Sequence, residues 1–165
     1  MINDGIGCSD RYAVEMGKGR ADECWPKANM KLELFDRNGT LKETREVHNT
    51  VTTAGKNGVA AQCASSPGLV KAHWMEVGTG SPGATLLGAY ILNSRTDSSS
   101  YTTTNNVVTY VCTFAAGTGT GAITEAGVFN IATQNTVDMW MSASFAVINK
   151  LGTDSLVITW TLTVN

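Results

Sequence analysis

The sequence predicts a mainly β protein: an antiparallel, β-sandwich-like domain with one short helix and an extended N-terminal arm. Two observations lead to this fold class. Apolar residues alternate with threonine and other polar residues along several stretches of the C-terminal half, which is the period of a half-buried strand. Glycine, serine and asparagine separate these stretches, and charged residues make up only 16% of the 165 residues, against about a quarter in an ordinary soluble domain.

The N-terminal arm is predicted over residues 1–30, and the β domain over residues 31–165. Four glycines and Pro26 interrupt any regular element in the arm. Tyr12 and Trp25 are the aromatic side chains that we expect to anchor the arm on a partner, because aromatic residues concentrate interface energy. A plain unstructured terminus is the alternative interpretation.

A hairpin opens the β domain. Residues 31–35 alternate between polar and apolar side chains, and residues 40–47 form a second strand-like run. The segment between them contains Asn38 and Gly39, and Asn-Gly between two such runs is a strong signal for a tight turn. The two runs are therefore expected to pair as antiparallel neighbours.

One short helix and two further apolar segments follow the hairpin. The helix is predicted near residues 53–64, with Thr52 or Thr53 as its N-terminal cap. Residues 73–77 indicate a short strand, and the apolar residues 86–92 indicate one or two helical turns. The glycine-rich sequences GTGSPG and AAGTGTGA are interpreted as hairpin turns, because neither is followed by the Lys-Ser/Thr pair of a phosphate-binding loop.

Three alternating stretches make the C-terminal half the clearest part of the pattern. In each stretch one set of alternate residues is apolar, so that face is expected to lie against the core. The three apolar faces comprise Val108, Tyr110, Cys112 and Phe114; then Met139, Met141, Ala143, Phe145 and Val147; then Leu156, Ile158, Trp160, Leu162 and Val164. A shorter strand is predicted at residues 123–130.

Glu125, Gly127 and Trp160 are the candidate structural residues of this half. Glu125 is a carboxylate in a strand with few charges, and a buried carboxylate needs a donor or a cation. A backbone N–H group or an arginine such as Arg95 is the expected partner, and a ligand-binding role is the alternative. Gly127 is expected to mark a bulge or a close backbone approach, and Trp160 lies on the apolar face of the last strand.

Neither catalysis nor a cofactor is expected from the sequence. His48 and His73 have no nucleophile motif beside them, and the cysteines lack the spacing of a zinc site. Cys63 and Cys112 fall on predicted apolar faces, where cysteine behaves as a small hydrophobe. The arm contains Cys8 and Cys24, and the sequence leaves open whether they form a disulfide. We therefore expect a non-enzymatic protein without a metal.

The charge pattern excludes some partners and favours others. A formal net charge of −2 offers no basic excess for nucleic acid, and no apolar run approaches the roughly 20 residues of a membrane helix. The first 20 residues lack a signal-peptide pattern, which favours folding in a cytoplasm with reduced cysteines. Only five residues are charged from Asp97 onward. Such a surface suits burial against other subunits, and a threonine-coated monomer surface is the alternative.

Four sequence motifs in a fixed order resemble small structural proteins of tailed-phage virions. They are NTVTTAGKNGVA (residues 49–60), WMEVGTGSPGA (residues 74–84), NVVTYVCTFAAGTGTGAITEAGVFN (residues 106–130) and DSLVITWTLTV (residues 154–164). The resemblance covers most of the chain but not the arm.

The resemblance implies a virion protein that is made in the bacterial cytoplasm. We expect a capsid decoration, or cement, protein that forms a homotrimer and binds the major capsid protein, with no nucleic-acid or membrane partner. A tail, neck or fibre-adaptor subunit is the alternative position in the virion. A glycan-binding module, with Trp140 or Tyr101 as an exposed aromatic platform, is an alternative of a different class.

Overall fold

A computed structural model describes residues 27–63 and 70–164 of the chain. These residues are mainly β, with 53% strand, 8% helix and two antiparallel sheets, which confirms the predicted fold class. The strands, in chain order, are β1 (Lys27–Phe35), β2 (Leu41–His48), β3 (Thr50–Val51), β4 (Trp74–Gly78), β5 (Thr96–Asp97), β6 (Ser100–Thr104), β7 (Val107–Phe114), β8 (Gly121–Phe129), β9 (Met139–Lys150) and β10 (Ser155–Thr163). The helix α1 (Thr53–Gln62) follows β3.

The two sheets pack face to face around one core. Sheet A has the strand order β2-β1-β10-β7-β6, and sheet B has the order β3-β9-β8-β4-β5. Leu32, Ile158 and Trp160 of sheet A meet Val77 and Met141 of sheet B in the same buried cluster. The predicted alternation is confirmed from Tyr110 to Phe114 on β7 and from Leu156 to Leu162 on β10, where the inward residues are buried. Of the other residues predicted on these faces, Val108 is half-buried and Val164, beyond the end of β10, is exposed.

The first hairpin is formed as predicted. The Oδ1 atom of Asp36 accepts hydrogen bonds from the backbone N–H groups of Asn38 and Thr40, at 2.8 Å each. Gly39 has a φ of 80°, a left-handed conformation that glycine adopts without steric cost. These contacts close the tight turn between β1 and β2.

Strand β1 begins earlier than the sequence predicted. It starts at Lys27, so residues 27–30, which were assigned to the arm, belong to sheet A. Ala28 and Met30 are buried in the core between the sheets. The anchors proposed for the arm, Tyr12 and Trp25, lie outside the described residues.

Helix α1 packs on β9 at Trp140, which belongs to the core between the sheets. Its N-terminal cap is Thr52, whose Oγ1 accepts a hydrogen bond of 3.0 Å from the N–H of Gly55. Gly55 and Gly58 face the backbone and the indole ring of Trp140 so closely that a Cβ atom at either position would overlap them. The two glycines therefore permit close packing of the helix on the sheet. Helix α1 is the one helix among the described residues. With ten residues, it is neither long nor apolar enough to cross a membrane.

A long loop between β4 and β5 covers part of the outer face of sheet B. The predicted helical turns at residues 86–92 are wrong, because this segment runs beside β4 instead. Thr79 N–H donates to Ala89 O and Ile91 N–H donates to Val77 O, so the backbone makes sheet-like contacts. Beneath the loop, a second apolar cluster contains Leu87, Phe129 and Met139.

The two glycine-rich segments are not hairpin turns. GTGSPG begins at the end of β4 and belongs to the long loop, whose other end reaches β5. AAGTGTGA connects β7 in sheet A to β8 in sheet B, so it joins two sheets rather than two paired strands. Its glycines at 117, 119 and 121 all have positive φ angles, which explains why the sequence is rich in glycine there.

Strand β9 departs from the predicted alternation at both ends. Its pairing with β8 shifts register twice, between Ile123 and Glu125 and between Val128 and Phe129. Because each shift changes which face a residue occupies, the predicted face is correct only in the middle of β9. Met139 packs in the outer cluster with Phe129, and Val147 is exposed.

Candidate interaction surface

The outer faces of the two sheets differ in what covers them. The long loop packs on the outer face of sheet B, whereas the outward side chains of sheet A remain half-buried or exposed. We call the outward residues of its last three strands the threonine face. They are Ser155, Val157, Thr159, Thr161 and Thr163 of β10; Val107, Thr109, Val111 and Thr113 of β7; and Ser100, Thr102 and Thr104 of β6.

The threonine face contains no charged side chain, because the few charges of this half are used inside the fold. Of the five charged residues from Asp97 onward, Glu125, Lys150 and Asp154 are at most 2% exposed. The charges of sheet A lie instead on β1 and β2. An uncharged face can be buried on a partner without the desolvation penalty of an ion.

Asp154 and Lys150 are satisfied at one end of the sandwich. Asp154 Oδ2 accepts from Lys42 Nζ at 2.6 Å and from the N–H of Leu151 at 3.0 Å. The hydrogen bond from Lys42 is the largest cause that lowers the pKa of Asp154. Lys150 Nζ donates to the carbonyl oxygen of Ala115 at 3.0 Å, and burial lowers the pKa of Lys150. Both groups therefore serve the fold rather than a ligand.

Glu125 holds the long loop against sheet B. Its Oε1 accepts hydrogen bonds from the N–H groups of Gly80 (3.0 Å) and Ala89 (2.7 Å), and its Oε2 accepts from Gly88 (2.9 Å). The carboxylate is fully buried. Of the two partners expected for Glu125, the backbone N–H groups are the ones found. Arg95 binds a different carboxylate.

Arg95 forms a second buried anchor, with Glu76. Its Nη2 lies 2.7 Å from Glu76 Oε2, and both side chains are 2% exposed. Its Nη1 donates to the carbonyl oxygens of Ile131 and Thr133, at 2.8 and 3.0 Å. The guanidinium carbon lies 3.6 Å above the centre of the Phe129 ring. This network ties the segment between β8 and β9 to Glu76 of β4.

The other candidate residues are structural in position. Gly127 is buried, and a Cβ atom there would lie 2.8 Å from both Met139 Sδ and the Phe129 ring. Trp160 is fully buried at the centre of the core. Trp140 is also buried, beneath α1, so it cannot be half of an exposed glycan platform. Tyr101 is exposed, beside His73 at a ring separation of 6.0 Å.

An apolar groove opens at the end of the sandwich where β1 begins. Its floor includes the buried side chains of Tyr110 and Leu162, and its volume is about 530 Å³. Three exposed apolar residues, Val70, Tyr101 and Val164, stand at its rim. An exposed apolar patch of this kind commonly marks a protein-binding site. The sequence did not reveal the groove, because distant segments form it.

Cys63 also lines this groove, which corrects its predicted position on a buried apolar face. It follows the last residue of α1 and is exposed. Cys112 is buried as predicted, and burial raises the pKa of its thiol to about 12. Cys112 is therefore protected from reaction, since only a thiolate is nucleophilic, whereas the Cys63 side chain is accessible to reagents.

The described residues contain no arrangement that suits a metal ion. No three His, Cys, Asp or Glu side chains converge among them. His73 and Asp97 form a close pair, with 2.6 Å between His73 Nδ1 and Asp97 Oδ1. The hydroxyl of Ser98 donates to the backbone carbonyl oxygen of His73, not to the imidazole ring.

Comparisons of the chain with protein-family models, curated proteins and solved structures found no match. The function is therefore inferred from two surfaces, the threonine face and the apolar groove. The threonine face lies on the outer side of sheet A, and the groove lies at the end of the sandwich, between sheet A and the residues at the end of α1.

Proposed function

We propose that the protein is a structural subunit of a tailed-phage virion, and more specifically a decoration protein that binds the major capsid protein on the head shell. The threonine face is the observation that carries this proposal. Protein interfaces are depleted of charge at their centres, and this face presents twelve neutral residues on three adjacent strands. Its hydroxyl groups can also donate and accept hydrogen bonds across an interface.

The distribution of buried charges supports a scaffold rather than an enzyme. Glu125 and Arg95 form hydrogen bonds with the long loop and with the segment between β8 and β9, and these bonds hold both segments on sheet B. These buried groups therefore stabilise the fold that presents sheet A, as a binding subunit requires. The four sequence motifs that resemble phage virion proteins add to this inference.

The proposed mechanism is mass action in an oligomer. A homotrimer that binds the expanded shell but not its precursor stabilises the shell, and this stabilisation grows with the logarithm of the free trimer concentration relative to Kd. Each protomer contributes one threonine face and one N-terminal arm, with Tyr12 and Trp25 as the arm's anchors. Nucleic acid and membrane are not part of the proposed complex.

The first experiment measures oligomeric state and capsid binding together. Light scattering on the purified protein is expected to give three times the chain mass of 17.5 kDa. The protein is then mixed with empty expanded capsids and pelleted, and co-sedimentation at a fixed ratio to the capsid protein is expected. A protein that stays in the supernatant contradicts decoration and favours the tail, neck or fibre-adaptor position.

Two lysine substitutions test whether the threonine face makes the contact. Thr109→Lys places a charge at the centre of the face, between Thr102 and Thr161. Thr44→Lys places the same charge on β2, among its existing charges. The first is expected to weaken capsid binding at least about tenfold, because an unpaired interfacial charge is costly, and the second is expected to leave binding unchanged. Equal binding by both variants rejects the threonine face.

The arm is tested by deletion of residues 2–26. Removal up to residue 30 would also remove Ala28 and Met30 from the core, so the deletion ends before Lys27. Loss of co-sedimentation by a chain that keeps its β circular dichroism supports a binding role for the arm. A truncated chain that still coats capsids contradicts it.

A further inference from the structure

Among residues 27–63 and 70–164, no strand pairs with the outer edge of β6 in sheet A. Strand β6 lies at the edge, and its sequence SYTTT carries neither a charge nor a proline. The opposite edge, β2, carries Lys42, Glu43, Arg45 and Glu46. Charged edges resist pairing with foreign strands, whereas a neutral edge does not. In sheet B the edge strands β3 and β5 have two residues each.

The open edge is continuous with the apolar groove. Tyr101 and Thr103 of β6 line the groove, while the residues between and beside them point to the threonine face. A strand that pairs with β6 would therefore place every second side chain over the groove and the others on the solvent side. The groove requires apolar residues at alternate positions of its occupant.

The N-terminal segment contains such a sequence. In residues 11–16, RYAVEM, the apolar side chains Tyr12, Val14 and Met16 alternate with Arg11, Ala13 and Glu15. Paired with β6, this segment would direct its apolar set into the groove and keep both charged side chains in water. The length and period of the segment match the five-residue edge.

The segment also leaves the fold at the right end. Lys27 pairs with Thr163, Thr163 pairs with Val107, and Val107 pairs with Thr104. The start of β1 and the end of β6 thus share one end of sheet A, three strand spacings or about 14 Å apart. Residues 17–26 can span up to about 35 Å when extended, so residues 11–16 can reach the edge of the same chain or of a neighbouring copy.

We propose that residues 11–16 bind along the edge of β6 as an added strand, with Tyr12, Val14 and Met16 over the apolar groove. Backbone pairing supplies the register, and burial of Val70, Val164 and Tyr101 at the rim supplies the apolar contact. This docking is independent of any capsid, so it is tested on the purified full-length protein.

Cross-linking to Cys63 in the groove provides the test. In a chain carrying Cys8→Ser and Cys24→Ser, a single cysteine is introduced as Val14→Cys or, as the matched control, Ala13→Cys. A short bismaleimide is added, and the products are mapped by mass spectrometry. Cys112 does not interfere because it is buried.

The ratio of the two cross-linking rates decides the proposal. A freely moving tether would present adjacent residues to Cys63 equally, whereas a docked strand points residue 14 inward and residue 13 outward. We expect residue 14 to react about tenfold faster, a preference of about 1.4 kcal/mol. Products within one chain or between two chains both support docking and show which copy supplies the segment. Equal rates, or no product from either variant, overturn the proposal.

Hydrogen exchange identifies a different occupant of the edge. Val14→Asp is expected to speed amide exchange of residues 100–104 about tenfold, because a docked strand protects the edge, while Ala13→Asp is expected to leave it unchanged. Protection that persists in Val14→Asp rejects residues 11–16 as the occupant. In that case the β6 edge of a second copy becomes the alternative.

Discussion

Replacement of Glu125 by glutamine tests the anchor that holds the long loop on sheet B. The glutamine oxygen can retain the bonds from Gly80 and Ala89, but its amide group then faces the N–H of Gly88. One buried donor is left without an acceptor, which costs about 1–3 kcal/mol, and two bonds lose their charge assistance, about 1 kcal/mol each. Relief of the buried charge offsets part of this loss. We expect the free energy of unfolding to fall by about 3 kcal/mol.

The measurement is urea denaturation followed by tryptophan fluorescence. Thr124→Val is the matched control, because it removes one neutral hydrogen bond of 2.7 Å from Thr124 Oγ1 to Gly80 O on the same loop, worth about 1 kcal/mol. Amide exchange at Gly88 and Ala89 is expected to speed in the Glu125→Gln variant before the sheets open. If Glu125→Gln destabilises the protein no more than Thr124→Val, the carboxylate does not hold the loop.

Three further predictions concern helix α1, the thiols of Cys63 and Cys112, and the carboxylate of Asp154. Gly58→Ala forces a methyl group into the indole of Trp140 beneath α1. We expect the free energy of unfolding, measured by urea denaturation, to fall by about 1–3 kcal/mol. An unchanged urea midpoint contradicts the close packing of α1 on Trp140. Iodoacetamide at about pH 8 is expected to alkylate Cys63 and to spare Cys112 until the protein unfolds, which peptide mapping checks. Because the folded pKa of Asp154 is lowered by Lys42, its contribution to stability is present above about pH 4 and is lost as pH falls through the folded value. The stability gap between wild type and Asp154→Asn should therefore narrow in acid, and a gap that is constant with pH contradicts the prediction.

Local pattern was enough to predict the strands that have one buried face. On β7 and β10 every inward residue from Tyr110 to Phe114 and from Leu156 to Leu162 is apolar and every outward one is small or β-branched, so period and face follow from adjacent residues alone. The first hairpin was predicted for the same reason, since Asn38 and Gly39 specify its turn.

Contacts between distant residues explain what the sequence did not reveal. Nothing in residues 86–92 themselves indicates that Glu125 accepts hydrogen bonds from the N–H groups of Gly88 and Ala89. These N–H groups are then not available for the hydrogen bonds of a helix. On β9, register shifts depend on its pairing with β8 and cannot be read from β9 itself. Gly55 and Gly58 counted against a helix by propensity, yet they allow α1 to approach Trp140.

The candidate surfaces were the least predictable feature for a physical reason. The threonine face requires the neighbours β10, β7 and β6, and β6 has no alternation that marks it as a strand in the sequence. Only the scarcity of charge after Asp97 pointed to a surface made for burial, and that scarcity becomes sharper in the structure because three of the five charges are inside.

The asymmetry of the two sheets makes binding and stability separable in this protein. Glu125, Glu76 and Arg95 act on the sheet B side, and Asp154 and Lys150 act at one end of the sandwich. Loss of one partner at these places weakens the fold itself. The threonine face bears no such partner, and Thr109 at its centre is half-buried. Thr109→Lys should therefore change the free energy of unfolding by no more than about 0.5 kcal/mol while it weakens capsid binding. A Thr109→Lys variant that loses both properties together, by urea denaturation and co-sedimentation, would show that the face is part of the folded core rather than a surface kept for a partner.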